Sequence, residues 1–343
     1  MQERPTVETI KSLFELENNI KDKTLFDKTL ADIGITYDEY KNRANGIELE
    51  YDFALTLYSL GICKHVERFD EELSSLFGEY TCDFRVTFIS GKQIMLEIKS
   101  TTEDVFKISS GNLQKRIDFA KENNLDLYFA IYIFNHWLCY SSDYLKNKNG
   151  KITIDDFRYS IMDSLFNTAH YEISNIDYVS TYKESKKNTM GVIDKEYGNL
   201  ISETAFRNGK RLYKAKHVSD FPVLFYLSAV RDRASFVGKE QNGDITVVKS
   251  QLKESHLISD FELIIHSVHK MEMSSGKFMN SKIFIDRYKK HQHILNIENF
   301  RAAMKGIGAI AFSLQSSDVE RFYRDLHEGK ILEKTSFSSI PNV

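Results

Sequence analysis

Two alternating segments separated by a short gap constrain this chain more than any other feature. Over Asp83–Ile89, Phe84, Val86 and Phe88 alternate with Asp83, Arg85 and Thr87; over Gln93–Lys99, Ile94, Leu96 and Ile98 alternate with Gln93, Met95, Glu97 and Lys99. A period of two marks strands with one face toward a core. Ser90-Gly91-Lys92 between them reads as a hairpin loop. Matching the apolar faces pairs Phe88 with Ile94, Val86 with Leu96 and Phe84 with Ile98, because a slip of one residue sets them against polar partners. One step further, that register places Asp83 opposite Lys99. Glu97 then stands on the diagonal, about 7–8 Å away at the backbone. An aspartate, a glutamate and a lysine thus share one face at one end of the hairpin.

Glu-x-Lys spacing by itself says little, since it occurs at Glu39, Glu97, Glu184 and Glu328. Only at Glu97 does it fall within a patterned strand, where it puts both side chains on one face. Two carboxylates are hard oxygen donors suited to Mg²⁺ or Mn²⁺. An ion held there would polarise a phosphate and acidify a bound water, and the lysine would orient that water and stabilise developing charge. The plainer alternative is a solvated strand face with cross-strand ion pairs. Three features favour chemistry: Glu50 in the preceding helix as a third carboxylate, the polar turn Ser100-Thr101-Thr102, and Gln114, Lys115 and Arg116 early in the next helix, placed for phosphate contact. Each has its own structural alternative: a solvated helix face for Glu50 and Lys115, and a cap for Ser110 and Asn112.

Around the hairpin, residues 6–42 read as short amphipathic helices. A helix follows over Gly46–Gly61, with Ile47, Tyr51, Ala54, Leu55 and Tyr58 on one stripe and Gly61 at its C-terminus. A strand is expected near His65–Phe69, a helix over Asn112–Asn123, and strands over Leu127–Phe134 and Trp137–Ser141. That order is a mixed α/β domain. Lys151–Tyr159 reads as a further strand and Asp244–Val248 as a short one. Helices are expected over Phe221–Ala234, His256–Met271, Lys282–Leu295, Glu298–Leu314 and Asp318–Glu328. The expected organisation is an N-terminal helical segment over 1–43, an α/β domain over 44–165, and a mainly helical second domain over 166–343.

These residues resemble the PD-(D/E)XK nuclease superfamily, which includes restriction endonucleases and archaeal-type Holliday-junction resolvases. The resemblance spans residues 44–142, and the Gly46…Leu49-Glu50…Ala54…Leu57…Leu60-Gly61 stretch is similar to the first helix of restriction enzymes that cut modified DNA. It matches Glu50 to the helix glutamate, Asp83 to the first motif acid, Glu97 to the second and Lys99 to the motif lysine. Cys82 stands where the motif has proline. The resemblance implies a restriction-endonuclease-like mixed sheet flanked by helices and a Mg²⁺-dependent (or Mn²⁺-dependent) nuclease acting on DNA, in restriction or anti-phage defence. Metal would be held by Asp83 and Glu97 with help from Glu50. The alternatives are a binding or sensor module on an inactive nuclease-like fold, or a nuclease directed at RNA.

Charge is uneven along the chain. Residues 1–150 carry 18 Lys and Arg against 25 Asp and Glu, a net of −7, and the remainder carries 28 against 24, a net of +4. The second half is therefore the better candidate for holding a polyanion, with ordinary variation between solvated surfaces as the alternative; the C-terminal domain is also where a partner protein or a second copy would be recognised. Cys63, Cys82 and Cys139 are too scattered for a disulfide framework or zinc site. No apolar run approaches the roughly 20 residues of a membrane span, and no leader is apparent, so a cytoplasmic protein is expected. His266/His269 and His291/His293 fall in helix-like segments and read as ordinary helix residues. Gly306 and Gly308 read as packing positions in an apolar helix. Asp22, Asp27 and Asp32 lack calcium-loop spacing, Trp137 reads as a core residue, and Arg231, Arg233 and Lys239 as a solvated helix end.

Overall fold

A computed structural model describes residues 9–10, 12–13, 16–17, 22–69, 81–134, 136–184, 192–231, 233–262, 264, 296–312 and 314. The described residues form two compact units, one ending at Asn167 and the other beginning at Thr168.

In the first unit, α1 (Lys23–Ile33) packs on the N-terminal part of α2 (Tyr37–Leu60) through Phe26, Leu30, Tyr40, Ala44 and Ile47. Thr36 and Glu39 cap α2 reciprocally: Thr36 N–H donates to Glu39 Oε2 (2.9 Å) and Glu39 N–H to Thr36 Oγ1 (3.2 Å). That capping box starts the helix well before the expected Gly46. β1 (Cys63–Arg68), β2 (Phe84–Phe88) and β3 (Gln93–Ser100) follow. The chain then runs through the short β4 (Phe106–Lys107) into α3 (Ser110–Glu122) and returns as β5 (Asp126–Ile133) and β6 (His136–Ser141). The sheet order is β1-β2-β3-β5-β6. β3 and β5 run parallel, joined by the α3 crossover, and the other neighbours are antiparallel. This is the mixed, helix-flanked sheet anticipated above.

Both faces of the sheet are covered. Phe84, Val86, Ile94, Leu96 and Ile98 are buried on one face. On that side Phe53 of α2 meets Trp137 edge-on at 4.8 Å and Phe166 at 5.6 Å, and Phe88 lies 6.0 Å from Phe166. On the other face, Met95 and Glu97 are as inaccessible as the apolar residues beside them, with α3 packed across that face. A parallel neighbour and helices on both sides bury even the polar side of β3. The unit ends with α4 (Ser142–Asn147), β7 (Lys151–Ile152), a 3₁₀ helix (Ile154–Tyr159) and α5 (Met162–Phe166). The strand expected over Lys151–Tyr159 is thus confined to its first two residues, because Asp156 accepts from Thr153 N–H (2.9 Å) and turns the chain.

The expected mainly helical second domain does not hold for the described residues. The second unit is built on sheets: β8 (His170–Ile173), β9 (Ile176–Lys183), β10 (Ile193–Asp194), β11 (Gly198–Arg207), β12 (Lys210–Ala215), β13 (Ser235–Asn242), β14 (Ile245–Leu252), β15 (His256–Ser259) and β16 (Ile310–Phe312). One sheet runs β10-β11-β9-β14-β13 with β12 on β11, and another runs β15-β8-β16. α6 (Phe221–Arg231) and α7 (Ile297–Gly306) pack through Tyr226, Leu227, Val230, Phe300, Ala303 and Met304 into a core with Tyr178 and Ala205. His256–Ser259 is a strand rather than the start of a helix; so short an apolar run fits either. The helix expected to reach Leu314 stops at Gly306, and the chain leaves it through Gly308 into β16. The helices expected over Lys282–Leu295 and Asp318–Glu328, and the His266/His269 and His291/His293 pairs, lie outside the described residues. Among the described residues no helix is long and apolar enough to cross a membrane.

Candidate active site

The β2–β3 hairpin brings Asp83, Glu97 and Lys99 together on the sheet face beneath α3. Its register is Phe84↔Leu96, Arg85↔Met95, Val86↔Ile94 and Thr87↔Gln93, displaced by two residues from the expected one. A slip of two keeps every side chain on its face, so hydrophobic matching cannot detect it. The turn decides it. Gly91 N–H donates to Phe88 O (2.9 Å) and Phe88 N–H to Lys92 O (2.9 Å), closing a tight loop over Ile89–Gly91. Gly91 sits at φ 85°, the left-handed residue such a loop needs. Extending the register by one step sets Asp83 opposite Glu97, not Lys99. The two acids are direct neighbours, and the lysine takes the diagonal.

Both acids are buried, Asp83 at 4% exposure and Glu97 at 0%. Asp83 Oδ2 accepts from Ile98 N–H at 2.6 Å and lies 3.9 Å from Lys99 Nζ. Glu97 Oε1 takes Lys99 Nζ at 2.6 Å and, from α3, Arg116 Nε in a short contact. Its Oε2, also buried, meets no hydrogen-bond donor among the described residues. Burial holds the Asp83 carboxyl well above the usual carboxylate range, the Glu97 charge raises it further, and Lys99 opposes them only in part. Burial works against the Lys99 charge, but Asp83 and Glu97 outweigh it and hold the ammonium above its ordinary value. The Cys82 thiol beside them is pushed up, first by burial and then by both acids. All three cysteines are free thiols, as expected.

Glu50 is held by Arg68. Arg68 pairs opposite Phe84 and therefore sits on the α2 side of the sheet, where its Nη2 holds Glu50 Oε2 at 2.8 Å and its Nη1 donates to the Tyr51 hydroxyl at 3.3 Å. Glu50 is still near enough for its charge to add to the upward shift of Asp83. Of the helix residues expected to reach phosphate, Gln114 donates to Asp118 Oδ1 (2.7 Å) along the exposed side of α3, and Lys115 is exposed. Arg116 turns inward to Glu97. An open groove of about 250 Å³ adjoins the acids, lined by Lys99, Lys107, Ser109, Asn112 and Arg116 among others. Lys107 was not singled out from the sequence, where a single lysine in a short polar loop carries no pattern.

No family model matches the sequence, and no curated protein does. Among solved structures, the chain is similar to the Holliday junction resolvase Hjc of the archaeal hyperthermophile Archaeoglobus fulgidus, with 16% identity and a TM-score of 0.30, over 36% of this chain and 96% of that one.

Proposed function

We propose that this chain is a divalent-metal-dependent nuclease that hydrolyses phosphodiester bonds in DNA. Asp83 and Glu97 would be the metal ligands, with Lys99 beside the reacting phosphate. Glu97 carries the proposal: a fully buried carboxylate with one oxygen unpartnered among the described residues, directly beside a second buried acid. Glu203 in the second unit also keeps one buried oxygen without a donor among the described residues, so what sets Glu97 apart is the second buried acid beside it. Here an open oxygen coincides with unfavourable negative charge on Asp83. Hard oxygen donors in such a place fit Mg²⁺ or Mn²⁺. Bound there, the ion would supply Lewis-acid polarisation of a phosphoryl oxygen and an acidified water.

The remaining work falls to the chain itself. Ile98 N–H fixes the Asp83 carboxylate, so it needs no reorganisation on binding. Lys99, whose side chain is 31% exposed and which both acids hold cationic, would offer N–H donors toward charge developing on phosphate. Arg116 anchors Glu97 from α3. Glu50 contributes charge; for it to act as a ligand, Arg68 would have to release it. The family resemblance alone suggests a setting in restriction or anti-phage defence.

Incubation with plasmid, single-stranded DNA and RNA, with Mg²⁺ and with chelator, tests the proposal. Metal-dependent DNA cleavage lost in Lys99→Ala and Asp83→Ala is expected. RNA cleavage with DNA left intact overturns the substrate assignment. A specific observation favours a second reading, a binding module that does not cut: Lys99 and Arg116 both engage Glu97 Oε1, giving one carboxylate two cations. Folded protein that cleaves none of the substrates would favour that reading.

A further inference from the structure

Beside the acids, β4 and β7 pair as a two-stranded antiparallel ribbon, with Phe106 opposite Ile152 and Lys107 opposite Lys151. Phe106 and Ile152 are buried, so the strand period turns both lysines outward, and both are exposed. Directly opposed residues stand about 4.5–5.5 Å apart at Cβ, and like charges so placed destabilise the pair. No ion pair with an acid relieves either lysine among the described residues. Lys107 lies in the stretch 1–150, which carries a net charge of −7, so positive charge here is not the average character of that stretch.

The ribbon is continuous with the groove at the acids. Lys107 lines that groove together with Lys99 and Arg116, and Lys151 stands across the ribbon from Lys107. It is also rigidly attached. Ile108 N–H donates to Gly150 O at 2.8 Å, and a Cβ at Gly150 would lie 2.2 Å from Ile108 O. Lys99, Arg116, Lys107 and Lys151 therefore form a strip of cations on fixed backbone leading away from the acid pair.

We propose that the β4–β7 ribbon is a rail for the phosphodiester backbone of DNA, engaging phosphates beyond the one at the acids through Lys107 and Lys151. This rests on the nuclease reading for the identity of the polymer, and it limits the substrate to strands long enough to reach from the acids to the ribbon. Polymer backbone is the occupant whose repeated negative charge matches a strip of cations.

The test is equilibrium binding of a fluorescent DNA duplex, read by anisotropy in chelator across a salt series, so that no cleavage contributes. The proteins are wild type, the double variant Lys107→Gln/Lys151→Gln, the arginine pair Lys107→Arg/Lys151→Arg, and Lys23→Gln/Lys28→Gln on α1 as a remote control. Each lost phosphate contact lowers the slope of log K against log salt by about 0.9 for duplex DNA. The glutamine pair should therefore bind more weakly with a slope shallower by about 1.8, the arginine pair should retain the wild-type slope, and the control should not change. That pattern sustains the rail even if no cleavage is ever detected. Cleavage by wild type with an unchanged slope in the glutamine pair overturns the rail and leaves the nuclease reading intact. Wild type that binds RNA but not DNA, or binds neither, also overturns it.

Discussion

Replacing Asp83 by asparagine should stabilise the metal-free protein while abolishing its response to divalent ions. Asparagine is nearly isosteric, and its carbonyl oxygen can keep the 2.6 Å bond from Ile98 N–H. What is lost is the Lys99 contact at 3.9 Å, and Lys99 keeps Glu97 at 2.6 Å. What is relieved is a buried negative charge beside the fully buried Glu97. Because burial and Glu97 together outweigh Lys99 at Asp83, the ionised carboxylate costs folding free energy, and removing its charge is favourable. Relief of this kind is typically worth about 0.5–2 kcal/mol. A domain of this size shifts by about 2–4 °C per kcal/mol, so Asp83→Asn should melt roughly 1–8 °C above wild type in chelator.

Divalent ions should reverse that order. A ligand at a hundred times its Kd stabilises by about 2.7 kcal/mol, or roughly 5–11 °C here. Wild type should gain this on Mg²⁺ or Mn²⁺ titration and the variant should gain almost none. Thermal melts followed by circular dichroism, with and without chelator, measure both quantities. A variant less stable than wild type in chelator would show Asp83 to be a structural anchor. A wild type whose melting ignores both ions would remove the metal from the site.

Two further changes test the frame around the site. Asp156, at 2% exposure, accepts from Tyr144 Oη (2.7 Å), Thr153 N–H (2.9 Å) and Thr153 Oγ1 (3.0 Å) and pairs with Lys148 (2.7 Å). Asp156→Ala should cost about 2–4 kcal/mol by urea unfolding. Burial works to raise its carboxyl, but the bonds from Lys148, Tyr144 and Thr153 hold it below the usual range. Its stabilisation should therefore be fully present above the unfolded value of about 3.9 and fade as pH falls through the lower folded value. A gap between wild type and variant that already closes between pH 7 and 5 would contradict this. Gly150→Ala, at φ 70° and with no space before Ile108 O, should cost about 1–3 kcal/mol and speed hydrogen exchange at the Ile108 amide. A loss below about 0.5 kcal/mol would mean that the ribbon is not held by that close approach.

What could be read from the sequence, and what could not, divides along the burial of polar groups. The faces of β2 and β3 were legible because Phe84, Val86, Phe88, Ile94, Leu96 and Ile98 keep a period of two. The register was not, because an even slip preserves faces and the geometry of the Ile89–Gly91 turn decides it. Arg116 was legible as a residue early in a helix. Its contact with Glu97 depends on where the crossover lays α3, which local pattern does not encode. In the second unit, β9 alternates cleanly between buried and half-buried positions, yet one of its buried positions is Ser180, and its partner across β11 is the buried Glu203. A pattern search that expects apolar residues inside passes over such strands. Arg231 and Ser180 both engage Glu203 Oε2, contacts that only the folded chain reveals. The polar face of β3 was equally open to a solvated reading. Burial is what changes its meaning: an Asp, a Glu and a Lys on an exposed strand would be screened and replaceable. Beneath α3 they are buried together with Lys99 and Arg116, and the Glu97 oxygen that meets no donor among the described residues is the position the proposed metal would use.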